Sequence, residues 1–201
     1  MSEKKKVSEE VLSSEFKQTL SSYEKQLNER SDIRSMGRLI QDFVKQVTPA
    51  KEVQLLLLDK SMKEMKTVTL DKNMMMNISN TSGMMAEVLH TRKALFTNDV
   101  ERELKYKEDV DNFLHYPLKS LLLFPLVEDE NIWGLIWAGI PRKDLHQYMK
   151  IDLAYLEQMQ HLLKKPRHET DEEIKPLESD VTAESKLKNT SLITKIKSWF
   201  S

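Results

Sequence analysis

The side chains best suited to chemistry are scattered along this 201-residue chain. Its five histidines, His90, His115, His146, His161 and His168, include no pair at metal-ligand spacing on one predicted face, so no metal site is expected. His115, beside Tyr116, reads as a surface or core histidine rather than a base. The carboxylates of Glu101–Asp111 and Glu169–Glu173 read as solvated charge, and no serine sits in a nucleophile context. Cysteine is absent, which removes disulfides, thiolate nucleophiles, thiolate metal sites and thioether attachment of a cofactor. With only four glycines there is no G-x-G-x-x-G or Walker-type loop to cradle a phosphate. These residues predict a protein that is not an enzyme, with no identifiable cofactor.

The charges nearly cancel, 31 basic against 32 acidic residues, so no global field points to nucleic acid or an anionic surface. No apolar run approaches the roughly 18 residues of a spanning helix, and no charged-then-apolar leader opens the chain. The expected location is cytoplasmic.

What must position any site is the stretch Lys119–Ile140. Two apolar runs, Leu121–Val127 and Ile132–Ile140, flank the acidic turn Glu128-Asp129-Glu130-Asn131 and predict a buried β-hairpin. Leu122, Phe124 and Leu126 share one face, and Leu121, Leu123 and Val127 the other. In the second run Trp133, Leu135 and Trp137 oppose Gly134, Ile136 and Ala138. Both faces are apolar, so helices must cover both. Pro125 cannot donate to a ladder and predicts a bulge or an unpaired stretch.

Before the hairpin, Met1–Glu10 is a polar lead. Leu12, Phe16, Leu20, Tyr23 and Leu27 mark one helical stripe, within an N-terminal region over residues 1–30. Ile33, Met36, Ile40, Phe43 and Val47 mark a second, whose alternating spacing suits a coiled-coil seam, with Ser31-Asp32 as the cap. The second stripe predicts either packing on its own sheet or a homodimer interface. Strands are expected at Val53–Asp59, Met65–Leu70 and Ala94–Thr97. Met84–His90 reads as a helix capped by Thr81 or Ser82, with the nearby methionines as gap-filling core or, alternatively, a ligand surface. Val100–His115 reads as a helix-and-loop cover anchored by Leu104, Tyr106, Val110, Phe113 and Leu114. A final stripe runs Met149, Leu153, Leu156, Met159 and Leu163. The main domain is therefore expected over residues 31–165.

Beyond it, 166–190 has the composition of a disordered charged linker. In 191–201, Leu192, Ile193, Ile196, Trp199 and Phe200 fall within one helical arc. This amphipathic peptide predicts docking to a partner protein's groove, with weak membrane contact as the rival and folding back as the third option.

The order of local signatures resembles the GAF domain family over about Ile33–Leu163. Thr91-Arg-Lys-Ala-Leu-Phe-Thr-Asn-Asp99, Lys119-Ser-Leu-Leu-Leu-Phe-Pro-Leu126, Ile132-Trp-Gly-Leu-Ile136 and Tyr148–Asp152 are similar to the family's segments in that order. The usual Gly-rich turn before the last strand is replaced here by Glu-Asp-Glu-Asn. The resemblance implies an α+β fold, an α/β sandwich with a central antiparallel sheet and helices on both faces. It further implies a dimeric regulatory protein of signal transduction, with a small-molecule pocket between sheet and middle helices. On family positions that pocket takes Met85, Leu89 and Phe96, then Tyr106, Phe113 and Tyr116 from the cover, and Ser120, Leu122 and Trp137 from the sheet. Relatives that reduce methionine sulfoxide or attach bilins use cysteines, and the Asn-Lys-Phe-Asp-Glu signature of cyclic-nucleotide-binding relatives is not visible. No ligand is named by these residues. The alternative is a ligand-free adaptor whose pocket is filled by its own side chains.

Overall fold

The two apolar runs form the longest strands, β5 (Leu118–Glu128) and β6 (Asn131–Pro141), paired antiparallel from Leu118↔Pro141 to Glu128↔Asn131. A computed structural model of the chain describes residues 14–28, 32–59, 64–68, 75–77 and 82–163. The hairpin turns on Asp129 and Glu130, both left-handed at φ 46° and 66°. A two-residue turn of that hand continues the right-handed strand twist, and here it does so without glycine.

Around this hairpin lies a six-stranded antiparallel sheet of order β3-β2-β1-β6-β5-β4. Its other strands are β1 (Glu52–Leu58), β2 (Glu64–Thr67), β3 (Met75–Asn77) and β4 (Leu95–Thr97). β3 was not foreseen, because a three-residue edge inside a methionine run carries no alternation to read. β4 pairs only with Leu121–Leu123. Among the described residues the outer edge beside Pro125 has no strand neighbour, in keeping with the unpaired stretch expected there.

Register decides the faces. Leu56↔Leu135, Leu123↔Trp137 and Leu121↔Gly139 place these residues on one side, leaving Val53, Leu55, Leu57, Leu122, Phe124, Ile136 and Ala138 on the other. The first face is covered by α3 (Gly83–Thr91) and the single turn α4 (Glu108–Asp111), in a cluster including Met84, Met85, Val88 and Phe113. The second carries α1 (Ser14–Asn28), α2 (Ile33–Val47) and α5 (Lys150–Gln160). Aromatic rings join these three helices: Phe16 stacks on Tyr155 at 4.2 Å and meets Phe43 edge-on, as does Tyr23. The α+β sandwich with helices on both faces is thus the observed fold.

Asp32 caps α2 as expected, accepting from the Ser35 N–H at 2.8 Å. The stripe of α2 packs within the chain, one of the two readings its spacing left open. Ile33, Ile40 and Phe43 are buried within the chain itself, and Met36 and Val47 are half-buried. The apolar stripe was read rightly, but α1 and the sheet already occupy it. Two anchors are corrected: Leu104 and Met149 stand in solvent. The regions 1–13 and 164–201, including Leu192, Ile193, Ile196, Trp199 and Phe200, lie outside the described residues.

Candidate functional site

The layer between the sheet and α3–α4 is where the resemblance places a ligand. Trp137 lies at its centre, fully buried. Its indole rests on Gly139, where an added Cβ would come within 2.8 Å of the ring, so only glycine allows this close approach. The rings of Phe113 and Tyr116 meet it edge-on, with centroids at 5.6 and 6.4 Å. Its Nε1 donates to the backbone carbonyl of Asp111 at 2.6 Å, so its one polar atom is satisfied. Leu56, Met65, Met84, Met85, Val88 and Leu121 complete the layer, with Leu89 and Tyr106 packed at its margin.

Asp111 fastens the cover over this layer. Its carboxylate accepts from the backbone N–H groups of Met84 at 2.9 Å, Met85 at 2.8 Å and Lys107 at 2.8 Å. It thereby caps α3 from 26 and 27 positions away in the chain, while Ser82, at the capping position, makes no side-chain bond. Gly83, at φ +93°, brings the chain so near that a Cβ would meet Oδ1 at 3.0 Å. Burial pushes the Asp111 carboxyl above the usual range, against the opposing pull of those N–H donors. Expecting Asp111 to be solvated charge was wrong, because its neighbours Asp109 and Glu108 are exposed and nothing local distinguishes it from them. The cover is further bound by Tyr106, whose hydroxyl donates to Glu108 at 2.6 Å, and by Asn112, which donates to Glu108 and to the Tyr116 carbonyl. Burial first, then Glu108, raises the Tyr106 pKa.

Of the residues expected to line a pocket, the structure brings together Met85, Leu89, Tyr106, Phe113, Tyr116 and Trp137. It does not bring Phe96, Ser120 or Leu122 to them. Leu122 is adjacent to Leu123, the partner of Trp137, so the pleat sends it through to the opposite face. Phe96 pairs with Leu122, and its ring meets Tyr148 instead. A register shift between Leu118 and Ser120 puts Ser120 opposite Ile140, and its hydroxyl donates to the Asn98 carbonyl at 3.2 Å. Hollows of the surface lie elsewhere. One of about 620 Å3 runs between Arg92, Lys93, Pro125 and Leu153, and one of about 550 Å3 follows the outer side of α3. Among the described residues no group of three or more His, Asp or Glu side chains is placed to hold a metal ion.

The family model described as GAF domain matches residues 38–163. The chain belongs to the GAF family. GAF domains are regulatory and sensory domains of signalling proteins. No curated protein sequence matches the chain. Among solved structures, the GAF domain of a phosphoenolpyruvate-protein phosphotransferase from Coxiella burnetii is 13% identical, covering 73% of this chain and 89% of that one at a TM-score of 0.59. Residues 122 to 287 of a methyl-accepting chemotaxis protein are 16% identical over 70% of this chain and 93% of theirs, TM-score 0.58. The free methionine-R-sulfoxide reductase of Neisseria meningitidis, solved with its substrate, is 15% identical over 73% and 84%, TM-score 0.55. At such identities the likeness is one of fold. The last of these is an enzyme, whereas nothing among the described residues of this GAF domain speaks positively for catalysis.

Proposed function

We propose that this GAF domain is a non-catalytic regulatory module that acts through macromolecular contacts, its ligand position being filled by its own side chains. The observation that carries the reading is Trp137, buried, hydrogen-bonded to Asp111 and packed by Phe113 and Tyr116 where a small molecule would sit. Ligand sites keep a concave, largely pre-formed space, and here that space holds an indole. A small-molecule sensor would need Trp137 to leave its bond and its glycine platform first. A cytoplasmic location and self-association belong to the same proposal, the dimer using surfaces other than the inner stripe of α2. So does docking of the peptide Leu192, Ile193, Ile196, Trp199 and Phe200 into a partner's groove, on its amphipathic pattern.

The test is a thermal-shift screen of the full chain against nucleotides and common metabolites. The reading predicts no concentration-dependent rise in Tm. A ligand that raises Tm as mass action requires, and whose effect is lost in Met85→Trp, would replace this reading with the sensor.

A further inference from the structure

Leu104, Leu145 and Met149 are exposed to 93%, 88% and 61%, and no other large hydrophobic among the described residues stands so far out. They sit on two loops, 101–107 and 142–149, joined by an ion pair between Glu101 and Arg142 at 3.1 Å. The second loop is fastened down. Tyr148 is buried, and its backbone exchanges two hydrogen bonds with the Asn98 side chain, N–H to Oδ1 at 2.8 Å and Nδ2 to the carbonyl at 3.0 Å. Lys119 reaches the Asp144 carbonyl from the neighbouring strand. Leu145 and Met149 are therefore held outward on either side of an inward anchor, not loosely displayed.

The charges of this loop are sorted as well. Its acidic residue, Asp144, is engaged by Lys51 and His146. Lys143 and Lys150, bracketing Leu145 and Met149, make no ion pair among the described residues. Single aliphatic side chains standing apart among polar neighbours offer no groove for a helix or strand. They gain by entering the boundary between headgroups and acyl chains, while flanking lysines meet anionic headgroups.

We propose that the loop 142–149 forms a docking surface for an anionic lipid bilayer, with Leu145 and Met149 entering the headgroup boundary and Lys143 and Lys150 against the phosphates and carboxylates. The surface is independent of whether the ligand position is closed.

Co-sedimentation of the full chain tests it, using vesicles of phosphatidylcholine alone and of phosphatidylcholine with phosphatidylserine. The full chain is expected to bind the second kind and to release as salt rises. Leu145→Asp with Met149→Asp, and separately Lys143→Glu with Lys150→Glu, should weaken binding by about tenfold. All four side chains are exposed, so circular dichroism should show the variants folded. Trp199→Asp with Phe200→Asp separates any contribution of the terminal peptide, and the loop variants should still matter in that background. Equal binding by the loop variants and the parent would overturn the proposal, as would binding lost only with the terminal peptide. Absence of vesicle binding, with proteins captured by the parent and not by the Leu145 and Met149 variant, would assign the surface to a protein partner instead.

Discussion

Asp111 shows how one carboxylate can govern a cover of more than one segment. It serves the first N–H groups of α3 and the start of α4 at once, and its carbonyl holds Trp137. Asp111→Ala orphans two buried donors and the half-buried Lys107 N–H, and should destabilise the fold by roughly 3 kcal/mol in urea denaturation. The pH dependence has a definite sign. Burial raises the folded pKa above the unfolded value, so the native state holds the proton more tightly. The stabilisation from that proton is complete below the unfolded pKa of about 3.9, and it is lost as pH rises through the folded pKa. The advantage of the parent over Asp111→Asn should therefore shrink as pH rises from about 4. An advantage growing with pH would mean that the backbone donors outweigh burial. Nothing in the sequence marks Asp111 among its acidic neighbours, because its role comes from contacts far along the chain. Gly139 was equally silent, since the neighbour that requires it is the folded-back Trp137.

Among the elements, the hairpin was the most legible, as strand length, two-sided apolarity and the acidic turn are all local properties. What locality could not supply was register past an irregularity. The shift between Leu118 and Ser120 was invisible in a smooth apolar run, and Phe96, Ser120 and Leu122, carried over by resemblance, lie away from Trp137. The turn itself carries strain, as Asp129 and Glu130 both hold positive φ. Replacing them with Asn-Gly should raise stability by about 1 kcal/mol, read as an increase in Tm, because those residues enter this region at lower cost. The stripe of α2 was also legible as apolar, but periodicity cannot say which surface will cover it. Ile40→Asp and Phe43→Asp place a charge in the chain's own core and should each destabilise by about 3 kcal/mol or more. Folded, soluble monomers of parental Tm would instead restore the seam between two copies.

At the scale of the whole molecule, the sheet separates two unlike tasks. One face carries α1, α2 and α5, which aromatic rings join to one another, and the other holds the layer where the resemblance places a ligand. Sequence could place Trp137, Phe113, Tyr116 and Met85 near one another by resemblance, but not decide whether they surround a space or fill it. That depends on side-chain volume, on the close approach at Gly139 and on the Asp111 carbonyl, all of which are long-range facts. The most direct measurement is the exchange of the Trp137 indole proton in deuterated water, followed by NMR and assigned with Trp137→Phe. A filled layer, with that proton bonded at 2.6 Å to Asp111 and no solvent access, predicts exchange only as fast as global unfolding. The resonance should also stay in place when nucleotides or metabolites are added. Exchange far faster than unfolding, or a shift of that resonance on adding a small molecule, would show a layer that opens to ligand and would contradict the closed-site account.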